Sequence, residues 1–301
     1  MKVLVTGGSC LPGSKTIKAL LKKGYQVIAT HNSHEIPIED KDLIKIRVNL
    51  LDVDILERLF KKHVPDAVVH MAALGDVDQC EKKKRAAWEV NVEGTVNIVT
   101  LALKYSSFFI YLSTDYVFDG AEGLYEEGSL PRPINYYGLT KLCGEVASHS
   151  LTTDSAIVRT STIYGLGPGR QNFAKLLVEK LSKGEKIKAL EDQYTSPTHA
   201  TLLGEAIAEV VDKRITGILH IAGERLSRYE FAVRVAESLG LDKSPIAPAR
   251  MQEFSWIAPR PRDSSLKCEK TMSMLKTSFH TTHTALYILK EEFGELRMRG
   301  T

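Results

Sequence analysis

Apolar positions in the first half of the chain follow two alternating rhythms. Residues 2–6 are a short β-branched run that ends in glycines, and 14–23 then carry the spacing of a helix face. Gly24 closes that helix, and 26–30 and 44–49 read as the second and third strands. A helical pattern over 53–63 leads into 66–71, an unbroken apolar run of the kind shown by parallel strands covered on both faces. A long helix is predicted over about 82–105, then a strand over 108–113, a helix over 135–149 and a strand over 156–159. This alternation predicts an α/β fold, a Rossmann-type doubly wound parallel sheet.

After Gly165 the rhythm breaks. A loop rich in glycine (Gly165, Gly167, Pro168, Gly169) precedes a helix over 172–182 and a short strand near Ile187. Residues 201–213 and 217–221 resemble one more helix–strand unit of the sheet. The remainder holds a helix over 229–239, a Pro-rich stretch over 245–261 and two further helical segments. The expected division is a Rossmann domain of residues 1–165 plus 200–224 and a smaller, discontinuous α/β lid of 166–199 plus 225–301.

Composition narrows the classes. A formal net charge of +3 over 301 residues is not the concentrated basic stripe of a nucleic-acid binder. The one basic run, Lys82 to Arg85, lies inside the long predicted helix and reads as a solvated face rather than a phosphate patch. No apolar run reaches bilayer-spanning length, and the first residues enter a strand without a signal-peptide layout. The four cysteines form no C-x-x-C pair and no zinc spacing, so free thiols, no metal and a cytoplasmic location are expected.

The turn after the first strand runs Gly7-Gly8-Ser9-Cys10-Leu11-Pro12-Gly13. Gly7 and Gly13 suit a strand–turn–helix that lays backbone amides on a pyrophosphate, and Pro12 suits the first helical turn. The middle position is usually glycine; here Cys10 must fit a Cβ and a sulfur beside the phosphates. At the end of the second strand an NAD enzyme typically places an acid. This chain has Thr30, His31, Asn32 and Ser33, with no carboxylate before Glu35 and no arginine in the segment. A neutral or cationic patch predicts a preference for NADPH, with NADH as the alternative donor.

Tyr137 and Lys141 stand four apart on a predicted helix, hence on one face. An ammonium beside a phenol favours the phenolate, as a proton donor to a reacting carbonyl requires. Such pairs also arise by chance as exposed helical neighbours. The upstream segment Ser113-Thr114-Asp115-Tyr116-Val117-Phe118-Asp119-Gly120 follows a buried strand, where polar residues face the ligand crevice. Thr114, with Ser113 second, is the expected hydroxyl that polarises a carbonyl; the bland reading is a capped strand-to-loop turn.

Together these segments resemble the extended short-chain dehydrogenase/reductases, and within them the dTDP-4-dehydrorhamnose reductases and the related regulatory beta subunit of methionine adenosyltransferase. Further matching pieces are Val48 to Asp52, His70 to Ala73, Asn91-Val92, Arg159 to Gly165, Ser196 to Thr198 and Arg260 to Leu266. The resemblance implies Thr114, Tyr137 and Lys141 as catalytic residues. It implies phosphate-loop contacts at Ser9, Cys10, Leu11 and Pro12, a place near the adenine for Asp52, and a strip along the cofactor at Met71, Ala72 and Ala73. It also implies a nicotinamide contact at Ile163, a helix-supporting Asn91, and substrate contacts from Ser113, Tyr116 and the Arg262 segment. The activity implied is reduction of the 4-keto group of a dTDP-6-deoxysugar. An epimerase would share Tyr and Lys but usually carries an acid for NAD, and a 4,6-dehydratase needs an Asp–Glu pair where this chain has Asp115-Tyr116. A regulatory subunit without catalysis fits much of the same sequence. Related enzymes are often homodimers, so a homodimer is the expectation by analogy.

Overall fold

The computed structural model describes residues 1–299. The order is β1 (Lys2–Thr6), α1 (Leu11–Lys22), β2 (Gln26–His31), β3 (Leu43–Arg47), α2 (Val53–His63), β4 (Ala67–His70), α3 (Val77–Lys82), α4 (Lys84–Trp88), α5 (Gly94–Lys104), β5 (Phe108–Thr114), α6 (Tyr136–Leu151) and β6 (Ser155–Thr160). There follow β7 (Ile163–Tyr164), α7 (Phe173–Ser182), β8 (Ile187–Leu190), β9 (Tyr194–Thr195), β10 (Thr198–His199), α8 (Ala200–Lys213) and β11 (Gly217–His220). The last elements are β12 (Leu226–Ser227), α9 (Arg228–Leu239), β13 (Ile246–Ala249), α10 (Glu269–Met274) and α11 (Thr282–Arg299).

Seven strands form one sheet in the order β11-β6-β5-β4-β1-β2-β3, every pair parallel. This is the predicted doubly wound sheet, and 217–220 supply its edge. Side-chain alternation sorts the core into two layers. Val3, Val5, Val27 and Ala29 pack with Ile17 and Leu20 of α1 and with α8. Leu4, Ile28, Val68 and Phe109 pack with Leu56, Leu59 and Phe60 of α2 and with Ile98 and Val99 of α5. The strand order reverses between β1 and β4, and the carboxyl ends of these strands open the crevice used by ligands of such sheets.

Residues 166–199 and 225 onward meet in small sheets of their own, β8 with β13 in parallel and β9 with β12 antiparallel. Among the described residues no helix is long and apolar enough to cross a membrane. Glu292 of α11 ties the far end of the chain to the front of the fold. Its carboxylate takes Lys15 Nζ at 2.5 Å, Leu166 N at 2.8 Å and Thr201 Oγ1 at 3.1 Å, with His199 Nε2 at 3.6 Å. Although burial opposes ionisation, His199 and Lys15 hold Glu292 down to about 2.

One predicted element is corrected. The long helix over about 82–105 is three pieces: α3 begins earlier, the chain breaks at Lys83 (φ −122°, ψ 57°), and Glu89–Glu93 make a π-helical turn between α4 and α5. The basic run therefore straddles a break between helices. Neither Gly nor Pro marks it; the π-turn instead carries Asn91, whose side chain is used across the crevice.

Candidate active site

The glycine turn is built by close approach. Gly7 lies at φ +71°, and a Cβ there would fall 2.8 Å from Ala72 N; one on Gly13 would fall 2.2 Å from Gly7 O. The backbone of the turn is thus pressed between β4's extension and the start of α1, and the Gly8 amide bonds Thr30 O at 2.8 Å. Ser9 and Pro12 are half-buried and Leu11 is buried. Cys10 is the cap residue of α1, its Sγ accepting from Gly13 N at 3.4 Å. The thiol folds back on its own helix, and burial pushes its pKa up to about 11, so it stays protonated. A turn without room for side chains at the amino end of a helix fits a pyrophosphate.

The strip after β4 is held from two sides. Met71 N and Ala72 N donate to Thr6 Oγ1 at 3.1 and 3.2 Å, so the Thr6 proton goes to His70 Nδ1 at 2.7 Å. Thr95 gives its proton to Asn91 O at 2.7 Å and therefore accepts from His70 Nε2 at 3.0 Å. That polarity requires a neutral imidazole, and burial holds His70 at about 3. Asn91 closes the frame: Oδ1 accepts from Leu74 N at 2.7 Å, and Nδ2 donates to Leu74 O at 3.2 Å and Thr140 Oγ1 at 3.0 Å. It links the strip that includes Ala73, which is exposed, to α6.

Helix α6 starts at Asn135, which caps Gly138 N at 2.8 Å. Gly138 lets the first turn lie on the Tyr116 carbonyl, where a Cβ would come within 2.1 Å. Tyr137 is thereby set against the end of β5. Its ring meets Tyr116 edge-on at 6.2 Å between centroids, and Thr114 favours the ionised phenol. Thr114 Oγ1 also donates to Asp115 Oδ1 at 3.0 Å. Asp115 is buried and further receives Ser161 Oγ at 2.7 Å and Ser264 Oγ at 2.5 Å; burial raises its pKa against these hydroxyls.

Two expectations change here. The expected lowering of the phenol by Lys141 does not hold: burial dominates and pushes Tyr137 up, with Thr114 opposing it. Lys141 instead lays Nζ over the Tyr111 ring at 4.1 Å from its centroid, and burial pushes it down to about 7. Ser113, the second choice beside Thr114, points away from that pair: Oγ donates to Glu145 Oε1 at 2.5 Å. Glu145 in turn grips Arg159 through Oε1–Nε at 2.9 Å and Oε2–Nη2 at 2.7 Å, both side chains buried. Strand alternation forces the split, since neighbours on β5 face opposite sides.

The other named residues sit around this centre. Asp52 caps α2, accepting from Ile55 N at 3.0 Å. Ile163 opens β7, beside Thr198. His31 ends β2 with Nδ1 buried and without a partner, while Asn32 and Ser33 are exposed. Arg262 is exposed and lines a cavity of about 370 Å³ with Glu191, Asp192, Tyr194 and Arg250. Sequence reading missed three cations. Arg228 bonds Gln193 Oε1 at 2.7 Å, and its charge favours the ionised form of Tyr116. Arg170, in the glycine-rich loop, pairs with Asp76 at 3.2 Å. Arg47 comes from β3 to the end of β2. Each joins segments distant in sequence, which no local pattern announces.

The chain matches the RmlD substrate binding domain family over residues 1–293. It is 30% identical over 300 residues to the "Probable low-salt glycan biosynthesis reductase Agl14" of Haloferax volcanii, covering 98% of this chain and 99% of that protein. It is 29% identical to methionine adenosyltransferase 2 subunit beta of Pongo abelii, covering 89% and 81%. A hypothetical dTDP-4-dehydrorhamnose reductase from Sulfolobus tokodaii superposes with TM-score 0.83 at 38% identity, covering 93% and 97%. The dTDP-4-dehydrorhamnose reductase of Bacillus anthracis in complex with NADP superposes with TM-score 0.85 at 26% identity, covering 98% and 99%.

Proposed function

Because the chain belongs to the RmlD substrate binding domain family, we propose that it is an NADPH-dependent oxidoreductase that reduces the 4-keto group of a dTDP-6-deoxysugar, dTDP-4-dehydrorhamnose foremost. The observation that carries this reading is the buried pairing of Tyr137, at the start of α6 and edge-on to Tyr116, with Thr114 at the carboxyl end of β5. The turn, the Met71 to Ala73 strip and the end of β2 are the residues that would hold the dinucleotide. A dinucleotide held there would supply the hydride.

The rest falls to side chains. Tyr137, kept protonated by burial, gives its proton to the carbonyl oxygen as that oxygen gains charge. Thr114 donates to the same oxygen and fixes it in place. Lys141, one turn further along α6, is the ammonium that would return a proton to the phenol. Tyr116 stands where a dehydratase would need a second acid, so water elimination lacks its base. The lid, 166–199 with 225 onward, brings Arg228 and Arg262 as cations for the diphosphate of the nucleotide.

The direct experiment mixes the purified protein with NADPH and dTDP-4-dehydrorhamnose and follows cofactor absorbance; no consumption sinks the substrate assignment. The likeness to methionine adenosyltransferase 2 subunit beta favours a second reading, a regulatory subunit. Altered kinetics of a methionine adenosyltransferase on mixing, with no keto-sugar turnover, would select it.

A further inference from the structure

At the carboxyl ends of β2 and β3, Arg47 has no counter-ion among the described residues. Arg47 is the last residue of β3, and its Cα partner across the parallel ladder is His31, the last residue of β2. Partners in a parallel ladder share one face of the sheet, so both side chains rise from the same side. Arg47 Nε donates to Asn32 O at 3.1 Å, its one polar contact among the described residues. The side chain is exposed. Two residues earlier on that face, Lys45 is already neutralised by Glu39 at 2.5 Å. His31 Nδ1 is buried beside it with no hydrogen-bond partner. Gly8 N on Thr30 O, one residue before His31, fixes the distance from this corner to the glycine turn.

We infer that Arg47, with His31 beside it, reads a phosphate monoester on the adenosine 2′-oxygen and so sets the choice of NADPH over NADH. The single bond through Nε orients the guanidinium plane and leaves both Nη groups for two parallel bonds to phosphate oxygens, the geometry arginine supplies and lysine does not. No acid stands at the end of β2 to repel the phosphate or to bind a free ribose diol. This inference rests on the cofactor reading above and names the residue responsible for it.

The test is binding, measured by calorimetry without sugar substrate, of 2′,5′-ADP and 5′-AMP to wild type, Arg47→Ala and Arg47→Lys. Wild type should hold 2′,5′-ADP roughly 10- to 100-fold tighter than 5′-AMP, the range for one charge-assisted contact. Arg47→Ala should reduce that ratio to within about threefold, with 5′-AMP affinity and melting temperature unchanged, and Arg47→Lys should fall between. If the ratio survives in Arg47→Ala, the inference fails while the NADPH reading stands. If wild type shows no ratio, the NADPH reading fails and the inference with it. Failure of the sugar assay leaves these binding arms intact.

Discussion

Replacing Glu145 by glutamine tests how α6, and with it Tyr137, is held to the sheet. Glu145 accepts two bonds from Arg159 at 2.9 and 2.7 Å and one from Ser113 at 2.5 Å, and both members of the ion pair are all but inaccessible. Glu145→Gln leaves the Arg159 charge buried without its counter-ion, a loss of about 3–5 kcal/mol. With an unfolding entropy of about 2.1 cal/mol/K per residue, a chain of this length melts about 5–8 °C lower for that loss. Calorimetry measures the shift directly. Replacing both partners, Glu145→Met with Arg159→Met, should recover most of it, because two apolar side chains need no counter-charge. A drop below about 1 °C for Glu145→Gln, or a double variant no better than the single, would show that the pair is not the clamp described.

Tyr137→Phe removes the proton donor while keeping the ring against Tyr116, so turnover should fall about 10²- to 10⁴-fold with an unchanged melting temperature; an unaffected rate removes Tyr137 from the chemistry. His70 and His220 are each held at about 3, below the ordinary value of 6.5, so the unfolded chain binds the extra protons. Stability should therefore fall as pH drops from 6.5 towards 3, by about 1.4 kcal/mol per pH unit for each histidine, and a flat melting temperature between pH 6.5 and 5 would refute the neutral-imidazole frame. Cys10→Ser puts a better acceptor at the α1 cap and should raise stability by about 0.5 kcal/mol or more; a lower melting temperature in the unliganded protein would mean the thiol does more than cap.

What the sequence made legible follows from range. The β4 and β5 runs are continuous in apolar residues because both faces are covered, and α2 begins and ends where its periodicity does. Two-residue strands such as β7, β9 and β10 are too short to carry any period. The break at Lys83 and the π-turn were invisible because packing sets them: Asn91 must reach both Leu74 and Thr140, and a regular helix gives no local sign of that demand. In the candidate site, the Tyr137 to Lys141 spacing could be read, but not that Lys141 would rest on Tyr111, a residue of another element. Arg47 has no local sequence signal because strand pairing, not proximity in sequence, brings it to His31.

The Glu292 junction also bears on biosynthesis. Lys15 leaves the ribosome 277 residues ahead of the carboxylate that will neutralise it, so the pair is among the longest-range contacts the chain makes. Contacts of that span form late, after much local structure is in place. A nascent polypeptide halted short of position 292 would present its first helix with an uncompensated ammonium and the Leu166 amide without its acceptor. Competence to bind would then arrive only with the final stretch of translation, and quality-control factors would meet a nearly complete but unlatched sheet.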